Sequence, residues 1–410
     1  MLAPTNTAVP YQARLTLALC ALAALFEGFD NQSMGVAAPR LALEFGLSAG
    51  QKGLVFSAAT VGLFVGAAIG GRAADFFGRK RTLAVSLLMF GACSLLTAVS
   101  TGAESLFLAR LATGLGLGGA MPNFIALSSE AAQPDRRVSS VTIVMAGMPL
   151  GGALAALIAL GDRLGWGWRS IFYVGAAAPI LLALVMLRAL PEAGLRYRAT
   201  PTPVMPQAPA RVEGVPSVLF GSNRAPTTLL LWAGFFFTQL VLLLMLNWLP
   251  SLIVGLGFSR TQASWTAVCF NLSGALGAIF LGRLHAGTHR RLWVVLTYAG
   301  MAVALAAVPA AGRVFSLAAI ACGLAGVFII GAQLILFALA PLYYSRAIRC
   351  TGIGAAVAIG RLGSVVGPLF ASVLLTGGGG SASVLLGILP FVVIGGSAAL
   401  GLTWREQCRE

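Results

Sequence analysis

The chain has 410 residues, 58% hydrophobic and only 10% charged, with a mean hydropathy of +0.90. Soluble domains carry roughly 25% charged residues, so a soluble globular protein is excluded and a bundle of membrane-spanning helices is implied. The net charge of +15 does not point to nucleic acid, because most of the Lys and Arg lie between apolar runs, where they set membrane orientation.

The first span is predicted over 15–38, after a short tail, 1–14. Its apolar run from Leu15 to Phe26 has the length of a signal-peptide core but continues into Glu27 and Asp30 with no small-residue cleavage site, so it reads as a retained helix. Glu27 and Asp30 are three residues apart and share one helical face. Two carboxylates this close in a low-dielectric setting do not both ionise readily, which makes the pair a candidate proton carrier.

Further spans are predicted at 53–72, 82–100, 105–129, 138–160 and 169–188. The stretch Gly70 to Arg81 between the second and third reads as a tight basic turn in which Asp75, Gly78, Arg79 and Lys80 are candidates for a gating latch. Arg110 enters the fourth span at nearly the depth of Asp30, and the two can pair if their helices are neighbours. Stripes of small residues, Gly62, Gly66 and Gly70 and again Gly114, Gly116, Gly118 and Gly119, allow close helix approach.

Residues 189–226 are rich in Pro and Arg and read as a polar connector. Six more spans follow at 227–253, 262–284, 291–310, 315–340, 350–376 and 383–404, with a tail over 405–410. The plan is a bundle over 15–188 and a second over 227–404. Arg361 falls near the middle of the eleventh span, too deep to reach either interface with ease, and its planar fork suits a carboxylate. Asn123, Asn247, Trp248 and Gln333 are candidates for completing a substrate cavity, with Asn271, Tyr343 and Tyr344 as further polar positions in or ending spans.

With the N-terminus placed inside, 19 Lys and Arg fall on the cytoplasmic side, 6 on the outer side, and Arg110 and Arg361 within spans. Both termini are therefore expected in the cytoplasm. The six cysteines are scattered, the two histidines, His285 and His289, match no metal motif, and no G-x-S-x-G nucleophile motif occurs. No metal, no cofactor and no enzymatic activity are expected.

Two sets of six spans, a central connector and the run Gly70-Gly-Arg-Ala-Ala-Asp-Phe-Phe-Gly-Arg-Lys-Arg81 resemble the major facilitator superfamily. Glu27-Gly-Phe-Asp30, the segment Arg110 to Asn123 and the segment Ile348 to Gly363 narrow the resemblance to its aromatic acid:proton symporters. Asn247-Trp-Leu-Pro250 and Ala338 to Ser345 look most like the branch carrying 3-(3-hydroxyphenyl)propionate. The resemblance implies an all-α fold of twelve transmembrane helices in two pseudo-symmetric six-helix bundles, with a midplane site and a rocking motion.

By the same resemblance Glu27, Asp30 and Arg110 match the proton-coupling positions and Arg361 the eleventh-span arginine. The sequence departs from the pattern at Glu27, where many relatives have Asp, and in the loop motif, where Phe76 replaces an Arg and Arg72 adds one earlier. The implied function is secondary active import of 3-(3-hydroxyphenyl)propionate or a related hydroxylated aromatic acid by proton symport, in a bacterial inner membrane, with a monomer as the working unit. The alternative is proton-driven efflux of drugs or metabolites, since Gly147-Met-Pro-Leu-Gly-Gly152 partly resembles a fifth-span pattern of exporters.

Overall fold

A computed structural model describes residues 8–133, 140, 143–161, 167–190, 219–221, 224–285, 289–340, 343–344 and 349–407. Most of the predicted connector, and the last three residues of the predicted tail, lie outside the described residues. By contacts the chain divides into two units. One comprises Met1–Leu47 and Leu54–Tyr197, the other Ser48–Gly53 and Arg198–Glu410.

The first unit holds α1 (Ala8–Glu44), all but the start of α2 (Ala49–Phe77), α3 (Arg79–Ala98), α4 (Ala103–Ala131), α5 (Gly147–Ala159) and α6 (Arg169–Ala189). The second holds α7 (Ala225–Gly255), α8 (Arg260–His285), α9 (Arg290–Ala310), α10 (Phe315–Leu339), α11 (Arg349–Thr376), α12 (Ser381–Gly387) and α13 (Leu389–Gln407). Among the described residues, nine helical stretches are long and apolar enough to cross a membrane. The twelfth predicted span is one of them, Ser381–Trp404, with a single-residue interruption inside it. Pro390 has no N–H to give the Leu386 carbonyl, and the helix is interrupted at Ile388.

Three boundaries differ from the sequence expectation for physical reasons. Helix α1 begins at Ala8 and continues through Pro39 to Glu44, about 55 Å at 1.5 Å per residue, so the second half of the predicted tail is helical. Helix α2 runs to Phe77, so the expected basic turn from Gly70 to Arg81 is largely helix. Its only break is Gly78, whose φ of 86° is a left-handed conformation that suits glycine.

Packing within the first unit follows the small residues. Gly62 of α2 sits on the Leu111 carbonyl of α4, Gly66 on Leu115 and Gly70 on Gly119, while Gly114 and Gly118 of α4 sit on Ala59 and Leu63 of α2. Gly62, Gly66, Gly70, Gly114 and Gly118 thus make one backbone-to-backbone contact, the device by which helices associate where lipid removes the hydrophobic drive between them, while Gly116 and Gly119 turn to Phe90 and Ser86 of α3. Leu19, Cys20, Leu83, Leu87, Phe90, Leu117, Phe124, Leu182 and Met186 form the core around it. Val85, Leu181, Val303 and Val373 are exposed. Large apolar side chains pointing outward from both units are the surface expected of helices solvated by lipid.

Candidate functional site

Among the described residues, the first unit concentrates its buried charge at one place. Glu27 and Asp30 on α1 are 1% and 2% exposed, and Arg110 on α4 is 3% exposed. The Arg110 guanidinium donates from Nη1 to Asp30 Oδ1 at 2.7 Å and from Nη2 to Oδ2 at 2.9 Å. This is the bidentate fork geometry, which adds orientation to charge. Around it α1 is held closely by α5. Gly28 faces the backbone of Met148, Gly147 the Ala21 carbonyl and Gly151 the Leu25 carbonyl. The Gly147 to Gly152 run that partly resembles an exporter pattern therefore has a packing use here.

Asn123, also on α4, is 2% exposed and lies thirteen residues beyond Arg110, about 20 Å along the helix. Its Nδ2 donates to the Gly119 carbonyl at 2.7 Å. It belongs to a different level of the unit from the acidic pair.

At the turn between α2 and α3, Arg79 forms an ion pair with Glu130 at the end of α4, and Lys80 donates to the Leu190 carbonyl that follows α6. Sequence reasoning missed Glu130 and Leu190 as partners, since nothing local marks either. The side chains of Arg72 and Asp75 lie outside the described ones. At the opposite end of α1, Glu44 accepts from Trp168 Nε1 at 2.5 Å and pairs with Arg169 at 2.7 Å. Arg169 also lies 4.4 Å over the Trp168 ring, a cation–π contact that closes the cluster.

In the second unit α7 and α11 pack in register. Gly360 lies against Phe235, Gly363 against the Phe236 carbonyl and Gly367 against the Leu240 carbonyl. Arg361 is half-buried and, following Gly360, stands at the level of Phe235. Trp248 is fully buried, donates from Nε1 to the Pro368 carbonyl at 3.1 Å and carries the Lys52 ammonium 5.2 Å over its ring. Asn247 donates from Nδ2 to the Leu243 carbonyl at 2.9 Å.

Asn247 is twelve residues beyond Phe235, about 18 Å along α7. The predicted substrate residues of this unit thus fall at two levels, with Asn247 and Trp248 a long way from Arg361. Gln333 is different. Phe337, one turn after it on α10, meets Phe235 edge-on with centroids 5.2 Å apart, which brings Gln333 close to the level of Arg361. The tyrosines that end the tenth predicted span tie helices together. Tyr343 donates to the Leu402 carbonyl at 2.7 Å, and the Tyr344 hydroxyl lies 3.0 Å from that of Thr228. No group of three or more His, Cys, Asp or Glu placed to hold a metal occurs among the described residues.

Residues 20–259 match the sequence profile of the Major Facilitator Superfamily. The chain is 40% identical over 397 residues to the 3-(3-hydroxy-phenyl)propionate transporter of Escherichia coli strain K12, covering 96% of this chain and 94% of that protein. It is 32% identical over 404 residues to the 4-hydroxybenzoate transporter PcaK of Pseudomonas putida, covering 92% and 90%. A crystal structure of a D-xylose-proton symporter superposes with a TM-score of 0.75 at 18% identity, over 94% of this chain and 96% of that one, a likeness of fold alone. Twelve predicted spans in two sets, the fold and likeness along nearly the whole chain lead to one assignment: the chain belongs to the Major Facilitator Superfamily, in its aromatic acid:proton symporter group.

Proposed function

We propose that this protein imports 3-(3-hydroxyphenyl)propionate or a related hydroxylated aromatic acid together with protons, by alternating access. It is a multi-pass inner-membrane protein of a transporter family, and the excess of Lys and Arg on alternate loops supports placing both termini in the cytoplasm. The observation that carries the proton coupling is the fork between Arg110 and Asp30, with Glu27 one turn away, buried in a unit whose surface is apolar. An ionisable group is costly inside a bilayer and persists there for a use.

In this reading a proton reaching Asp30 or Glu27 cancels a carboxylate and weakens the hold of Arg110, so that the α1–α4 contact has two energies and protonation selects between them. Arg361 supplies the positive partner for the substrate carboxylate, since a guanidinium matches a carboxylate with two parallel hydrogen bonds. Loaded and empty carriers then switch, while partly loaded ones keep an uncompensated charge. A monoanion moving with one proton is electroneutral, and with two it gains about 2.3 kcal/mol per 100 mV of membrane potential.

The test is uptake of radiolabelled 3-(3-hydroxyphenyl)propionate into proteoliposomes under an imposed inward proton gradient, with the wild type and Arg361→Ala. Accumulation that a protonophore abolishes and that the variant lacks is the expected result. Accumulation undiminished in Arg361→Ala removes the carboxylate assignment, and no gradient-driven accumulation in the wild type removes the symport reading.

A further inference from the structure

The second unit holds a pair of carboxamides at the level of the site that no relative's name assigns a use. Helices α7 and α8 are joined by the short segment 256–259 and run antiparallel. Helices α8 and α10 run parallel, with Gly326 on Phe270 and Gly331 on Leu281. Helix α10 is therefore antiparallel to α7. From the Phe235–Phe337 contact, four residues forward on α7 is Gln239 and four back on α10 is Gln333. Both steps lead to the same level on the faces that carry the two rings, about 6 Å from the ring contact.

The Oε1 atoms of Gln239 and Gln333 are both sealed from solvent with no hydrogen-bond donor, and Gln333 as a whole is 8% exposed. Native interiors satisfy nearly all such groups; Trp232, Ser251 and Thr297 of this unit also carry such an atom, and the two glutamine oxygens are the pair that counting from the ring contact puts at one level. One turn from the glutamines lies the Phe235–Phe337 ring pair, and Arg361 stands at the level of that pair by the α7–α11 register.

A cation, an aromatic surface and, a turn further on, two amides in want of partners match the three parts of a hydroxylated aromatic acid. We propose that Gln239 and Gln333 hydrogen-bond the ring hydroxyl of the substrate and so select hydroxylated acids over unsubstituted ones. The assignment rests on the aromatic-acid reading given above. A phenol both donates and accepts, and a carboxamide turned about its last torsion offers either its oxygen or its N–H. An acid lacking the hydroxyl leaves both amides unsatisfied, which is the situation in which sites discriminate most strongly.

The experiment compares uptake of 3-(3-hydroxyphenyl)propionate and 3-phenylpropionate by the wild type, Gln239→Met and Gln333→Met in proteoliposomes. KM for the hydroxylated acid is expected to rise roughly 10-fold in each variant, while KM for 3-phenylpropionate is expected to fall, because methionine leaves no amide unsatisfied when the unsubstituted acid binds. Equal losses for both acids, or discrimination identical to the wild type, overturn the proposal while leaving the transport reading intact. Failure of the wild type to take up either acid fails the transport reading itself and this inference with it. Should the variants not insert, competition in the wild type decides. 3-(3-Methoxyphenyl)propionate, which has lost the donor, is expected to compete roughly 10-fold less well than the hydroxylated acid, and equal competition overturns the proposal.

Discussion

Replacing Asp30 with Asn keeps the size of the side chain and removes the charge that Arg110 grips. The fork has N–O distances of 2.7 and 2.9 Å, and its two residues are only 3% and 2% exposed, so the surviving charge stays out of bulk solvent. Breaking one side of such a pair costs about 3–5 kcal/mol, mainly because the surviving charge is stranded. For a unit of this size each kcal/mol corresponds to roughly 2–4 °C in Tm, so a drop on the order of 10 °C is expected in detergent. The double variant Asp30→Leu/Arg110→Met removes both charges and is expected to recover most of that loss, since an apolar pair of similar volume is often as stable as a buried ion pair. Thermal unfolding of the four proteins in a double-mutant cycle gives the coupling energy directly. An Asp30→Asn protein as stable as the wild type would refute the reasoning. So would a double variant that still accumulates substrate under a proton gradient.

Glu27→Gln is expected to lose gradient-driven accumulation while retaining exchange of labelled for unlabelled substrate, measured by counterflow in proteoliposomes. Gly151→Val places a side chain against the Leu25 carbonyl of α1 and is expected to destabilise by roughly 1–3 kcal/mol or more, read as lost expression and lowered Tm. Arg79→Ala removes an ion pair whose members are 42% and 49% exposed. Its effect on Tm is expected to correspond to less than about 1 kcal/mol, so any larger loss of transport reports on the switching step rather than on folding. Trp248→Phe deletes the donor to the Pro368 carbonyl, for an expected cost of about 1 kcal/mol measured by thermal unfolding.

The twelve apolar segments were legible because length and composition decide what can cross a bilayer. The Asp30–Arg110 contact followed from depth counting along two helices once their neighbourhood was assumed. Helix ends were less legible. Gly78 alone is enough to turn the chain, so the residues from Gly70 onward that looked like a loop continue α2 as far as Phe77.

Asn247 and Trp248 were grouped with Arg361 because all three are polar or aromatic residues in spans. Only the inter-helix register set by Gly360, Gly363 and Gly367 separates them. Gln239 carries the same signal as Gln333, an uncharged amide in an apolar run, but stands in a stretch otherwise dominated by Phe and Leu. The partners Glu130, Leu190 and Glu44 are tertiary facts. Each lies far along the chain from the residue it meets, and no local pattern announces them.

The central claim is that substrate and proton move together in one direction, and the most direct measurement is the external pH when substrate is added. A weakly buffered suspension of de-energised proteoliposomes, given a pulse of 3-(3-hydroxyphenyl)propionate, is predicted to turn alkaline as protons enter with the acid, and to show no such change with Asp30→Asn. Acidification of the medium, as an antiporter would produce, or uptake with no pH change in the wild type, would contradict the account.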